Sequence, residues 1–181
     1  MPADFSREPP RRICVLRLSA LGDVCHVLPV VRTLQDAWPG VEITWILGKL
    51  EHRLLGHLPG IEFVVFDKKA GRAAYGDLRR RMAGREFDVL LHMQLAIRAS
   101  LAAALVPARV KVGFDRARAH ELQWLFTNSR IAPRGREHVL DGLFGFAEHL
   151  GLRQRSMRWD IPLPDSALEY ARRVIPDGQP T

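Results

Sequence analysis

Short apolar runs alternate along this chain with longer amphipathic stretches. The runs fall near 12–17, 42–47, 62–66, 87–91 and 109–113, and each reads as a strand. Glu42-Ile-Thr-Trp-Ile-Leu47 and Phe87-Asp-Val-Leu-Leu91 are the clearest. Helical periodicity falls near 24–38, 49–57, 73–84 and 95–106. Such alternation implies a parallel sheet covered on both faces. The right-handed crossover rule then favours a doubly wound order. Pro29 leaves the first helix with two readings. Either it starts late, near Leu28, or it starts at Asp23 and kinks.

A further helix is predicted over 135–150, where Val139, Leu140, Leu143, Phe144, Ala147 and Leu150 share one face and Gly151 supplies a stop. The proline-rich stretch Trp159 to Pro164 follows. Ser166 with Glu169 resembles a capping box opening a short helix to Ile175. Residues 1–11 therefore read as a flexible tail, 12–165 as one Rossmann-like α/β domain, and 166–181 as a short helix and linker, with Pro176 to Thr181 linker-like. No internal repeat or low-complexity tract is present.

Composition narrows the class. At 181 residues and 47% hydrophobic content, one domain with a sizeable core is expected. No apolar stretch approaches the roughly 18 residues of a membrane span. Met1 to Pro10 carries no apolar signal region. Cys14 and Cys25 have neither a disulfide frame nor zinc spacing, and their placement suits a reducing, cytoplasmic setting. The net charge of +7 favours anionic partners: nucleic acid, phosphorylated substrates or an acidic membrane surface. Solubility alone explains it equally well. Arg79-Arg80-Arg81 reads as a solvated helix face, and the lack of interleaved aromatics speaks against nucleic acid.

Candidate chemistry gathers after the strands. Arg17-Leu-Ser-Ala-Leu-Gly-Asp-Val-Cys-His26 follows the first strand, where open α/β sheets bind ligands. In it, Gly22 can take backbone angles closed to other residues. Asp23 and His26, three apart at a helix start, could share one crevice. A carboxylate there could act as a general base on a sugar hydroxyl, or simply cap the helix. Asp67-Lys-Lys-Ala-Gly-Arg72 follows the third strand, and its cations suit phosphate or carboxylate groups; a solvated loop is the plainer reading. After the fourth strand, Gln94 could bond a sugar and Arg98 an anion, with His92 as a core histidine. Gly113-Phe-Asp-Arg-Ala-Arg-Ala-His-Glu121 follows the fifth strand as a substrate loop or a salt-bridged surface. No dinucleotide-binding or P-loop glycine pattern occurs.

The Arg17–His26 segment, with Leu28-Pro29 and Trp38-Pro39 after it, resembles the opening of the ADP-heptose:lipopolysaccharide heptosyltransferases. The likeness continues through Ile43-Thr-Trp-Ile46, Phe87-Asp-Val-Leu90, Gln94, Gly113-Phe114, Leu125-Phe-Thr-Asn128 and His138-Val139, over about residues 12–165. It implies the N-terminal half of a GT-B architecture, two Rossmann-like domains facing across a cleft. It implies an inverting transferase in which Asp23 deprotonates the acceptor hydroxyl. By the same resemblance Lys68, Lys69, Arg72 and Arg98 would hold acceptor anions, with Ser19, Gly22, His26, Gln94 and Arg118 around them. The acceptor would be the Kdo–lipid A region of a lipopolysaccharide precursor, and the donor ADP-heptose, bound by a C-terminal domain. No metal and no other cofactor is implied, and no nucleic acid. Peripheral contact with the inner membrane is expected because the acceptor is a lipid. His92 and Leu95 depart from the family's Asp-x-Gln-Gly pattern. Family members run to about twice this length, so the donor domain is expected to be absent and this half inactive alone. Two alternatives stand beside this reading: a GT-B transferase of another sugar nucleotide, and a non-catalytic α/β module binding anionic ligands.

Overall fold

The computed structural model describes Phe5 and residues 8–119, 121–135 and 137–175. Six parallel strands form one sheet: β1 (Arg12–Leu16), β2 (Glu42–Gly48), β3 (Ile61–Phe66), β4 (Phe87–His92), β5 (Ala108–Gly113) and β6 (Ser129–Arg130). Their spatial order is β3-β2-β1-β4-β5-β6. The chain winds outward from β1 to β3, then crosses back to β4 and winds the other way. The direction of winding reverses between β1 and β4, which leaves a crevice at their carboxyl ends.

Among the described residues, four α-helices join strands, α1 (Leu21–Ala37), α2 (Lys49–Leu55), α3 (Arg72–Met82) and α4 (Ile97–Ala104), and two follow the last strand, α5 (Val139–His149) and α6 (Asp165–Val174). Side-chain alternation along the strands divides the core in two. Ile13 and Val15 of β1, with Ile43, Trp45 and Leu47 of β2, meet α1 and α5 on one face. Cys14, Leu16 and Ile46 meet α3 and α4 on the other. The five expected strands and the expected helices are present, each displaced by a few residues at most.

Three details differ from expectation. β6 is only two residues long, too short to register as a period. Asn128 sets it up: its side-chain carbonyl accepts from the Lys111 N–H at 2.7 Å and its amide donates to the Arg109 carbonyl at 3.0 Å. At α6 the N-cap is Pro164, no side chain caps the helix, and Ser166 lies inside it. The capping box expected from Ser166 and Glu169 is therefore not what starts it. In the segment expected as a tail, Phe5 is buried in the core, and the Arg11 and Arg12 N–H groups donate to the Asp88 carboxylate at 2.7 and 3.0 Å. The linker expected over Pro176 to Thr181 lies outside the described residues.

Pro29 neither delays nor ends α1, which runs through it. Proline lacks the N–H that would bond the Cys25 carbonyl four residues back. The Trp159 indole N–H takes that carbonyl instead, at 2.9 Å. Other contacts fasten the same segment to α1. Thr33 Oγ1 donates to the Pro29 carbonyl at 2.8 Å and accepts from the Ser156 N–H at 2.9 Å. Arg158 pairs with Asp36 at 2.6 Å, and Arg32 reaches the Asp160 carbonyl at 3.4 Å. The strand-free segment after α5 is thus a strap along the helix that carries Asp23.

Thr33→Val removes a buried hydroxyl and strands the Ser156 N–H. Urea unfolding should show a loss of about 1–2 kcal/mol. Amide exchange should accelerate at 152–160 more than in the sheet.

Candidate functional site

The site grows from the backbone left unpaired where β1 and β4 part. Beyond Leu16 the chain stays bonded to β2 through Arg17 N–H to the Ile46 carbonyl and Gly48 N–H to the Leu18 carbonyl, but on the β4 side, past the Met93 N–H to Leu16 carbonyl bond, side chains take over. Gln94, just past β4, accepts the Leu18 N–H on Oε1 at 2.7 Å and donates from Nε2 to Ser19 Oγ at 3.3 Å. Gln123 is fully buried; it donates to the His92 and Gln94 carbonyls at 3.0 and 3.1 Å and accepts the Phe114 N–H at 3.0 Å. Gly113 is needed there, because a Cβ would sit 2.7 Å from Thr127 Cγ2 and 3.1 Å from Gln123 Oε1. Two glutamines therefore tie the ends of β1, β4 and β5 together.

Arg17 holds the centre. Its Nε donates to the Ser19 carbonyl at 2.9 Å, Nη1 donates to the Met93 carbonyl, and Nη2 pairs with Asp23 Oδ2 at 2.5 Å. The guanidinium is 14% exposed and the Asp23 carboxylate 36%. Asp23 Oδ2 also accepts the Ala20 N–H at 3.1 Å, so the helix-capping contact and the ion pair use the same oxygen. Among the described residues, Oδ1 takes no hydrogen bond. Burial pushes the Asp23 carboxyl up; the Ala20 N–H, Arg17 and nearby His26 outweigh it and leave the group below the ordinary carboxylate range. An ionised carboxylate with one oxygen clamped and the other open can accept a proton or a hydroxyl hydrogen bond at the open oxygen.

The other expected residues are placed as follows. Gly22 lies in the first turn of α1 with ordinary helical angles, so the special backbone freedom expected of it is not used. A Cβ there would meet nothing within 4 Å, and open space therefore adjoins Asp23. His26 is half-buried and sets its ring edge-on to His138 at 5.6 Å. His92 is a core histidine: its Nε2 lies 3.0 Å from Ser100 Oγ, and burial followed by Lys111 pushes its pKa down to about 3, so it stays neutral. Arg98 is exposed in the first turn of α4. Arg118 is turned away from a free role, because it pairs with buried Asp115 and, at 3.3 Å, with Glu137.

The cations after β3 form a second centre. Lys68 and Lys69 lie in a single 3-10 turn, and Arg72 opens α3; all three are exposed. Asp67 fixes the turn by accepting the Lys69 N–H at 3.0 Å. A concavity of about 410 Å³ is lined there by Lys49, Leu50, Arg53, Asp67, Lys68 and Lys69. Arg72 stands outside that lining. Larger hollows sit at the amino ends of the strands, around Arg12, Glu42, Glu86 and Phe87. That edge is opposite the crevice, and Arg12–Glu42 and Arg85–Glu62 ion pairs occupy its charges.

Sequence reasoning missed Arg17, Gln123, Lys49 and Arg53 as site residues. Arg17 is the first residue after β1, and Lys49 and Arg53 follow β2, so the strand-end rule could have found three of them. Gln123 carried no signal. Among the described residues no group of three or more His, Cys, Asp or Glu side chains could hold a metal ion, and no helix is long and apolar enough to cross a membrane.

The profile of glycosyltransferase family 9 (heptosyltransferase) matches residues 75–181. The chain belongs to glycosyltransferase family 9. It is 41% identical over 168 residues to the lipopolysaccharide core heptosyltransferase OpsX of Haemophilus influenzae, covering 93% of this chain and 48% of that protein. It is 25% identical over 183 residues to lipopolysaccharide heptosyltransferase 1 of Escherichia coli K12, covering 88% and 56%. A family 9 glycosyl transferase from Veillonella parvula superposes with a TM-score of 0.77 at 25% identity, over 98% of this chain and 52% of that one. E. coli heptosyltransferase WaaC with ADP-2-deoxy-2-fluoro heptose superposes with a TM-score of 0.72 over 92% and 55%; at 21% identity it supports the Rossmann-like fold alone. The chain spans about half the length of these family 9 relatives.

The ion pair makes a pH-dependent prediction. Asp23 binds its proton less tightly folded than unfolded. Its share of stability is full above the ordinary value of 3.8 and is lost as pH falls through the lower folded value. In Arg17→Met the Asp23 titration, followed by carbon NMR, should move up. The stability gap to wild type should be widest near neutral pH and close in acid. An unmoved titration would remove Arg17 as the clamp.

Proposed function

We propose that this chain is the acceptor-binding half of an inverting heptosyltransferase of the lipopolysaccharide core, with Asp23 as the general base. The observation that carries the reading is the clamped Asp23 carboxylate, with Oδ1 open, in the crevice between β1 and β4. Membership of family 9 and the lipopolysaccharide heptosyltransferases among its relatives support the chemistry.

In the proposed reaction an acceptor hydroxyl donates to Asp23 Oδ1. Its oxygen attacks the anomeric carbon of ADP-heptose, and the bond from that carbon to the diphosphate oxygen breaks with its electrons leaving on ADP. The hydroxyl proton passes to Asp23. A carboxylate of lowered pKa is a weak base toward a free alcohol. It suffices once the new carbon–oxygen bond has begun to form, because the attacking oxygen then turns strongly acidic. Arg17 keeps the other carboxylate oxygen engaged, so the base presents a single oxygen, Oδ1. Ser19, Gly22, His26 and Gln94 line the acceptor hydroxyl. Lys68, Lys69, Arg72 and Arg98 face the anionic groups of a Kdo–lipid A acceptor, and Arg118 acts through the loop it braces. The donor belongs on a further domain, so this half alone transfers nothing. Work on a lipid acceptor places the protein at the cytoplasmic side of the inner membrane, in peripheral contact.

In a full-length protein carrying this chain, Asp23→Asn should lower kcat by about 10²–10⁴-fold while acceptor binding persists. Turnover within threefold of wild type, ~0.6 kcal/mol of barrier, would rule out the base.

A further inference from the structure

α1 carries Asp23 in its first turn and lacks one rung of its ladder just behind it. The Cys25 carbonyl lies two residues after Asp23, and Pro29 has no N–H to give it. The first turn is therefore joined to the rest of the helix by one hydrogen bond fewer than its length provides, and the proline ring crowds the same carbonyl. On an exposed helix face such a carbonyl is left to water. Here the Trp159 indole N–H takes it, at 2.9 Å. The ring is 38% exposed and belongs to neither core cluster.

Water would satisfy that carbonyl without fixing it. The indole does fix it, because the strap that bears it is anchored on both sides. Ser156 N–H donates to Thr33 Oγ1 at 2.9 Å, Arg158 pairs with Asp36 at 2.6 Å, Arg32 reaches the Asp160 carbonyl at 3.4 Å, and Ile161 packs against the core. Thr33, Asp36 and Arg32 all follow Pro29 in the helix. Among the described residues, Trp159 makes the strap's one hydrogen bond to α1 ahead of Pro29. It therefore bridges the part of the helix that the strap holds and the part that bears the carboxylate.

We propose that Trp159 is a positioning residue for Asp23: its indole N–H replaces the rung missing at Pro29 and so sets the direction in which the first turn of α1 presents Oδ1. This rests on the reading of Asp23 as the base given above. Asp23 stands six residues before Pro29, about 9 Å along the axis. A tilt of about 7° at the missing rung moves it about 1 Å, and a displacement of that size can cost about 10²-fold in rate.

The test is a double-mutant cycle in a full-length protein carrying this chain. Trp159→Phe keeps an aromatic ring and removes the N–H. It should lower kcat about tenfold with the acceptor KM within about twofold. Pro29→Ala returns an N–H to the ladder, so Trp159→Phe added to it should cost less than about twofold. Arg158→Gln loosens the strap beyond Pro29 but leaves the indole bond, so it should lower the melting temperature and keep kcat within about twofold of wild type. In the 13C,15N-labelled chain, Trp159→Phe should shift the Cys25 carbonyl and Asp23 carboxyl resonances, and in the Pro29→Ala background should leave the Asp23 resonance in place. An unmoved Asp23 resonance, an undiminished loss in Pro29→Ala, or an equal loss in Arg158→Gln would each overturn the inference. The spectra need no turnover. Should Asp23→Asn remain active while the Asp23 resonance still follows Trp159, the base reading fails and the positioning contact stands.

Discussion

Polar backbone exposed where β1 and β4 diverge is the constraint from which the rest of this molecule follows. A parallel sheet satisfies its own amides only as far as neighbouring strands run together. At the point of divergence the unpaired groups must find side chains. Gln94, Gln123 and Arg17 supply them, and in doing so they fix the loop that starts α1. The clamped carboxylate is a by-product of this repair: the same guanidinium that satisfies the Ser19 and Met93 carbonyls points its remaining nitrogen at Asp23. Structural satisfaction and chemical readiness are one network here. That is why the residues with the least exposure, Gln123 and Arg17, matter to a site whose working atoms are open.

The sheet, its order class and the helix count were legible because apolar periodicity is long and clean in β1 to β5 and in the helices between them. Asp23 was legible because a small-residue turn after an apolar strand is a strong local pattern. What escaped notice depended on contacts far apart in sequence. Gln123 sits 31 residues from the His92 carbonyl it satisfies. Trp159 sits 134 residues from the carbonyl that resolves the Pro29 ambiguity. For Arg118 the sequence left a substrate loop and a salt-bridged surface open, because its partners Asp115 and Glu137 show only in three dimensions. β6 lay below the length at which a period exists.

Charge distribution follows the same logic as the hydrogen bonds. At the amino ends of the strands, opposite charges neighbour one another, as in Arg12–Glu42 and Arg85–Glu62. At the carboxyl ends near β2 and β3, cations stand together without partners among the described residues. Asp141 and Glu148 of α5, which packs beside α1, are paired with Arg134 and Arg155 from the segments flanking that helix. Unpaired cations thus gather at the carboxyl edge near β2 and β3, while others, such as Arg79, Arg109 and Arg153, are spread over the rest of the surface.

The strap along α1 also decides where this molecule can bend. Its last anchored residue is Ile161, half-buried against the core; Pro162 and Pro164 follow, each with its φ restricted by the ring, and everything from 162 to 170 is exposed. The fulcrum for any rigid-body swing of later residues therefore falls beyond Ile161, outboard of the tethers at Trp159 and Ser156. A swing there lies outboard of the contacts that hold α1, so the helix bearing Asp23 keeps its place.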